Sequence, residues 1–520
     1  MGRYLNSSTP YALYQGETNQ PYFVDKSLLL AELFPVLDAG NQHICITRPR
    51  RFGKTIMANM IAAFLSKKVD SDSIFSRLKI TSNLKYKEYR NKYNVISIDF
   101  SKISRSCDSY SDYIGKIETT LIRDLKKEYP QIEVYEDDSA ADVLETIFEE
   151  CNQERFVFVL DEWDFIFHKD FVTEENKKQY VLFLSNLLKD RSYVQLTYMT
   201  GILPIAKYSS GSELNMFWEY TMASEAKYNE YFGFTQQEVD KILKDAGMED
   251  KKAVIKEWYD GYQFGGCDVY CPWDVMNYFQ DLKRNPDAKP ISYWKNTSDN
   301  AIIRSFIDQS GSTISKKLEM LMAGESIDQQ IEENLTYDYL HSSEENFWSI
   351  LYLTGYLTQD KVNNSGETMS LKIPNKEIKE IFETTVKNWF NDQTQMIDRK
   401  ALFAAVWNGD SKTLTAQISK LLRMTISYHD YKEDFYHAFL AGIFAGAGYN
   451  VQSNKGHGEG RSDIVIINEY EGKVAVFEVK CSKKAKELEQ DCEKAIQQIK
   501  EKMYAKEYED EYEEVFCYGI

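Results

Sequence analysis

The chain has 520 residues, more than one ordinary hydrophobic core holds, since single cores stop growing near roughly 250–300 residues; two or three domains are expected. A 43% hydrophobic and 14% aromatic composition with 10 Pro, 25 Gly and neither repeat period nor low-complexity tract excludes a solenoid and a disordered chain. A net charge of −19 excludes a protein that coats nucleic acid over its whole surface, because such affinity comes from neutralising phosphates, so any nucleic-acid contact must be local.

From Met1 to Gly16 there is no basic region followed by an apolar stretch and a small-residue cleavage site. No apolar run reaches about 18 residues, so a cytoplasmic protein without a membrane partner is expected. The eight cysteines are scattered rather than densely spaced, and reduced thiols are expected. Cys267 and Cys271 have no second pair or nearby His to complete a zinc site. The acidic run Glu507 to Glu514 reads as solvated surface.

Ile44 to Thr47 (ICIT) is a short apolar, β-branched run; Arg48 to Phe52, Gly53, Lys54 and Thr55 follow, then the helix-patterned IMANMIAAFL. Strand, tight loop and helix in this order suit phosphate capture, because free amides at a helix start face the phosphates and the helix dipole favours their charge. Lys54 would reach the β and γ phosphates of ATP, the Thr55 hydroxyl would ligate magnesium, and Gly53 would let the backbone approach. The usual first glycine of such a loop is replaced by Arg48.

Val95 to Phe100 (VISIDF) predicts a further apolar strand, with Asp99 near its end. Phe156 to Leu160 (FVFVL) predicts a buried strand that delivers Asp161 to the magnesium and Glu162 to a water facing the γ phosphate. Val194 to Thr200 (VQLTYMT) predicts another, which would set Thr197 or Thr200 beside the nucleotide or use either simply for packing.

The segments YFVDK (22–26), TRPRRFGKT (47–55), DEWD (161–164) and TGI (200–202) closely resemble the bacterial AAA-ATPase-like proteins. The resemblance implies an α/β, additional-strand P-loop NTPase core of the RecA/AAA-like kind. It makes Arg48 a family variant of the loop and assigns nucleotide binding to Gly53, Lys54 and Thr55. Arg51 and Phe52 adjoin the nucleotide, Arg50 and Arg51 being equally suited to phosphate contacts or to salt bridging. Trp163 stands where the family often has tyrosine.

From about Tyr228 to Ile426 the pattern is mainly helical, starting at a Thr235 cap. WYDGYQFG (258–265), YCPWDVMNYF (270–279) and YWKNTSDN (293–300) interleave aromatics with turn formers, and an aromatic cluster of this sort is expected to be core. These segments and LYLTGYLT (351–358) also match the family, and the region reads as a lid and connector.

In the last hundred residues, DFYHAFLAGIFAGAG (434–448) predicts a helix, Tyr449 to Ser453 a strand, DIVIINEY and KVAVFEVK a hairpin, and Lys486 to Met503 a long helix. Asp463 opens one hairpin strand while Glu478 and Lys480 close the other, which brings all three to one edge of the sheet. Glu478 and Lys480, two apart, share a face. Two carboxylates there could hold magnesium while Lys480 orients the attacking water and stabilises charge on a phosphodiester.

This pattern resembles the PD-(D/E)XK nuclease superfamily, with Ser462 and Asp463 for its Pro-Asp, and more narrowly the small nuclease-like domain that accompanies AAA-ATPase-like domains, through YH (436–437), GRSDIVI, FEVK and AIQQI. A third carboxylate in such sites comes from the first helix, where Glu433 or His437 could complete the set, His437 being equally suited to packing. Gln498 could face the site from the last helix, and Arg461 could meet Glu459 or a phosphate. The chain stops at CYGI, on a terminal strand where relatives are expected to continue.

Three domains are therefore expected: an AAA-ATPase-like domain at 1–226, a mainly helical connector at 227–426 and a nuclease-like α/β domain at 427–520. The expected activity is ATP binding and hydrolysis coupled to magnesium-dependent cutting of DNA, in defence or mobile-element biology; a homo-oligomer is left open. The alternative is a nucleotide-switched scaffold or signalling ATPase whose last domain binds nucleic acid or protein without cleavage.

Overall fold

The structure is a computed structural model. It describes residues 2–102, 107–169, 171–205, 213–223, 227–294, 317–318, 320–331, 343–360, 368–395, 400–425, 440–441, 443–444, 449–453, 456–457, 460–461, 463–480, 482 and 486–520. The chain divides into two compact units, one of Met1–Trp294 with Asp328–Glu377, the other of Lys295–Ile327 with Ile378–Ile520.

The first unit is built on a five-stranded sheet of β1 (Gln42–Thr47), β2 (Asn94–Asp99), β3 (Phe156–Asp161), β4 (Val194–Gly201) and β5 (Trp218–Tyr220), ordered β2-β3-β4-β1-β5. All neighbouring strands are parallel. Parallel strands are covered on both faces and read as continuous apolar runs; every residue of β3 is buried, and so are all of β1 but Gln42. Strand β4 lies between β1 and β3 with Ile46 opposite Thr200 and Leu160 opposite Met199, so the tips of all three strands end at one level. This inserted strand is the additional strand that the family resemblance implies.

Helix Lys54–Leu65 leaves β1 through the loop 48–53 and buries Met57, Met60, Ile61, Phe64 and Leu65. On the sheet's other flank, helices Tyr110–Glu128 and Ala140–Glu150 each start at a serine, Ser109 and Ser139, whose side chain accepts an amide of the first turn.

The helix Gln236–Ala246 begins at Thr235 in a capping box with Glu238 and ends at Gly247 with φ 66. The Glu238 carboxylate also receives the buried Lys26 ammonium at 2.6 Å, which ties YFVDK to this helix. Tyr259, Tyr270, Tyr278 and Phe279 are buried together, so this part of the aromatic cluster is core, as expected. Two short antiparallel pairs, Tyr262–Phe264 with Cys267–Val269 and Thr358–Gln359 with Met369–Lys372, interrupt the helices. Strands of two to four residues carry too little alternation to be seen as a period.

The second unit contains β6 (Asn450–Ser453), β7 (Ile464–Asn468), β8 (Lys473–Glu478) and β9 (Glu514–Gly519) in that spatial order, the first two pairings antiparallel and the last parallel. Alternate residues serve two cores. Ile464, Ile466, Ala475 and Phe477 pack with Val406, Trp407 and Phe444; Val465, Ile467, Val474 and Val476 pack with Ile499, Tyr504 and Tyr508.

Candidate functional site

The phosphate loop turns into its helix at Gly53, which has φ 88 and ψ 11 and open space where a Cβ would stand. That left-handed conformation is available to glycine without the clash an L side chain meets. It leaves the first amides of helix Lys54–Leu65 facing outward from the loop. Two non-glycine residues nearby are also left-handed, Arg51 at φ 73 and Glu162 at φ 52. Local strain of this kind persists where surrounding structure over-determines it, and it clusters at functional sites.

Lys54 is buried, and its ammonium donates to the Arg48 carbonyl at 3.0 Å and the Pro49 carbonyl at 3.1 Å while lying 3.9 Å from Glu162 Oε1. At the tips of β3 and β4, the Thr200 hydroxyl donates to Asp161 Oδ1, and the Thr55 side chain also hydrogen-bonds the Asp161 carboxyl. Burial lifts this carboxyl to about 6; the two threonines hold it down, and Glu162 and Asp99 push it up. A cleft of about 320 Å³ adjoins the group, lined among others by Arg3, Thr55, Asn59, Asp99, Lys102 and Asp161. Thr197 is different: it is fully buried and bonds His43 at 3.1 Å.

The loop's other side chains are committed elsewhere. Phe52 is fully buried, edge-on to Tyr262 and close to Phe264, both at 4.9 Å between centroids, so its side chain belongs to the core. The Arg51 guanidinium lies over the rings of Trp273 and Trp294, and Arg50 is exposed.

In the second unit, the register sets Ile464 opposite Phe477, which carries Asp463 and Glu478 to the same end of the hairpin. Asp463 Oδ2 accepts the Val479 amide at 2.8 Å, and Lys480 Nζ donates to Glu478 Oε1 at 2.8 Å. Glu478 is 1% exposed, and its Oε2 has no hydrogen-bond donor among the described residues. Burial raises its pKa; Lys480 opposes that and Asp463 adds to it. The Lys480 amide bonds the Ile520 carbonyl at 2.7 Å and the Ile520 amide bonds the Glu478 carbonyl at 2.9 Å, so β9 pins the backbone of both residues.

Glu433, His437, Glu459 and Ser462 lie outside the described residues, as does the side chain of Arg461. Gln498 is half-buried on helix Leu488–Glu501. Among the described residues no cluster of three or more His, Cys, Asp and Glu side chains forms a metal cage.

The family described as predicted AAA-ATPase matches residues 15–210, and that described as the PD-(D/E)XK nuclease superfamily matches residues 431–520. Both expected domain families are matched. An uncharacterized protein in the vnfD 5' region of Azotobacter chroococcum mcd 1 is 23% identical over 97% of this chain and 93% of its own. Among solved structures, the Walker-type ATPase PABY2304 of Pyrococcus abyssi is 12% identical, covering 69% of this chain and 94% of that one with a TM-score of 0.38. The Aeropyrum pernix ORC2 protein in ADPNP-ADP complexes is 11% identical, covering 71% and 93% with a TM-score of 0.35.

Within the AAA-ATPase-like domain, two residues have structural roles that the motifs did not assign. Arg48 is 1% exposed and donates to the Thr47 carbonyl at 2.7 Å, the Tyr220 carbonyl at 2.7 Å and Asn229 Oδ1 at 2.6 Å. Its guanidinium also lies over Phe232 and Phe264 at 5.3 Å each, and burial lowers it to about 10. Arg48 thus braces the loop from behind. Restoring the usual glycine, Arg48→Gly, would strand three acceptors at about 1–3 kcal/mol each and open a cavity. It is expected to destabilise the protein by about 3–5 kcal/mol in a denaturant titration.

Asp164, the last residue of DEWD, is fully buried and accepts the Ile202 and Leu203 amides at 3.0 Å each. It staples the turn after β4 and so holds Thr200 in line. A third acid following a buried acidic strand tip was the signal available, but a short carboxylate bonding a distant turn has no sequence spacing. Gly201 is required beside it, because a Cβ there would fall on the Trp163 ring and 2.8 Å from Asp164 Oδ1. Gly201→Ala is expected to cost about 1–3 kcal/mol from overpacking and to weaken nucleotide affinity by shifting Thr200, measurable by denaturation and nucleotide titration.

Proposed function

We propose that the chain is an ATPase joined to a magnesium-dependent DNA phosphodiesterase, with an ATPase domain at 1–226, a connector at 227–426 and a nuclease domain at 427–520. The observation that carries the ATPase part is the Asp161 carboxyl bonded by the hydroxyls of both Thr55 and Thr200, beside a helix start opened by Gly53. A hydroxyl and a buried carboxylate are hard oxygen donors suited to magnesium. The cation would neutralise phosphate charge; Lys54 and the loop amides would bind the phosphates, and Glu162 would orient the attacking water. Coupled phosphate release and fluorescent-nucleotide titration test this, and an intact protein that binds no ATP with magnesium would refute it.

The nuclease part rests on Asp463, Glu478 and Lys480 at one end of the β7–β8 hairpin, with a buried Glu478 oxygen that lacks a donor among the described residues. Such an oxygen suits a metal ion, and Glu433 is the proposed third carboxylate. Lys480 would orient water and stabilise the developing phosphorane charge. DNA is the preferred polymer, bound locally because the chain carries −19 overall. A cytoplasmic location in a bacterial cell, a defence or mobile-element role and homo-oligomer formation complete the proposal. No helix among the described residues is long and apolar enough to cross a membrane.

A further inference from the structure

Behind the phosphate loop, two carboxyl side chains meet in the core of the first unit. Asp274 and Glu377 are both 0% exposed and hydrogen-bond each other. Asp274 lies in the first turn of helix Pro272–Arg284, and Glu377 Oε1 accepts the Trp294 amide at 2.8 Å. Apart from each other and the Cys271 thiol, Asp274 Oδ1, Asp274 Oδ2 and Glu377 Oε2 receive no hydrogen bond among the described residues. Two ionised carboxylates in one dry site would repel with nothing to neutralise both, whereas one shared proton supplies the missing donor.

The pair is linked to Arg51 by charge and through its neighbours Trp294 and Cys271. The Arg51 guanidinium is the cation whose field favours ionised Asp274, and it lies 5.5 Å from the ring of Trp294, whose amide Glu377 holds. The Cys271 thiol, next to Asp274's helix, approaches the Arg51 carbonyl at 4.0 Å. Arg51 is the left-handed loop residue at φ 73, two residues before Gly53.

We infer that Asp274 and Glu377 share a single proton, and that their one negative charge and the Trp294 they hold are the positioning device that keeps Arg51, and through it the phosphate-binding loop, in its capture geometry. This rests on the nucleotide-binding role proposed above. The remaining titratable groups facing the pair are Cys271, Tyr259, Tyr262 and Tyr293. Burial raises all four, so they keep their protons while the pair titrates. Burial and the Asp274 charge push Glu377 up to about 9 from an ordinary 4.5. Between these pH values the unfolded chain ionises Glu377 and the folded chain does not, so folding stability declines as pH rises from about 4.5 to about 9 and then levels. Above about 9 the second charge forms in place and repels Asp274, which would displace Glu377 and with it the Trp294 that it holds beside Arg51.

The full chain, its Glu377→Gln variant and its Lys54→Ala variant are titrated with a fluorescent ATP analogue and magnesium at about pH 7.5 and about pH 9.5, bracketing the Glu377 transition. The parent is expected to lose about tenfold in affinity across this range and Glu377→Gln less than about twofold, since glutamine can donate like the protonated acid but cannot ionise. In thermal unfolding without nucleotide, Glu377→Gln is expected to raise the midpoint near pH 8 and flatten the alkaline decline. Parallel pH losses in parent and Glu377→Gln, or a parent whose affinity does not change with pH, would overturn the pair's control of the loop. A parent that binds no better than Lys54→Ala at the lower pH would overturn the nucleotide role itself, and the unfolding slopes would still decide whether the proton is shared.

Discussion

Lys54→Ala is expected to abolish ATP turnover and to weaken ATP binding by about 10²–10³, the loss typical of removing one preorganised donor from a dry site. The size follows from where the ammonium sits. Its side chain is 3% exposed, so its charge acts through low dielectric. The loop's other cations are poorly placed to substitute: Arg48 is consumed by Thr47, Tyr220 and Asn229, Arg51 is turned toward Trp273 and Trp294, and Arg50 is exposed, where solvent screens its charge. Because Lys54 also donates to the Arg48 and Pro49 carbonyls, part of the effect could come from a relaxed loop. Asp161→Asn separates the two causes, since it leaves those bonds intact but removes the carboxylate from the Thr55 and Thr200 hydroxyls. It should leave magnesium-free nucleotide binding in place and remove the magnesium-dependent gain. Equilibrium titration with and without magnesium measures both, and an unaltered Lys54→Ala affinity would remove the phosphate site.

Asp463→Asn and Lys480→Ala are each expected to reduce metal-dependent nicking of supercoiled DNA by about 10³, with a chelator abolishing the parent's activity. Their physical effects differ. Asp463 holds the Val479 amide and is the proposed donor of an oxygen to metal, so its asparagine keeps a hydrogen-bond acceptor and loses the charge. Removing Lys480 leaves buried Glu478 without its cation, which raises its pKa further. Cutting by Lys480→Ala should therefore recover partly as pH rises and Glu478 ionises, whereas Asp463→Asn should not recover. Equal residual cutting by parent and both variants would show that the nuclease site is not there.

The strands, the loop and both pairs of acidic signatures were legible because each rests on local order. FVFVL ending in Asp161 is an apolar run with a polar tip, and it folds as a wholly buried strand. The spacing of Asp463 from Glu478 and Lys480 sets the three at one end of a hairpin once the turn at Glu471 and Gly472 closes it. The short connector strands escaped notice because they hold too few residues to show a period.

Arg48 shows what local order could not convey. In sequence it is only the residue that replaces the loop's usual glycine, yet it reaches Tyr220, Asn229, Phe232 and Phe264, more than 170 residues away in the chain. The same holds for Asp164 with Ile202 and Leu203, and for Asp274 with Glu377. By itself the sequence determined which of the longer apolar segments become strands, where the phosphate loop turns and which acids stand at strand tips, because those depend on side-chain order within a few residues. Only the tertiary structure decided which charged side chains brace the site and which face it, because desolvation and hydrogen-bond partnership are properties of the space around a residue, and distant chain segments fill that space.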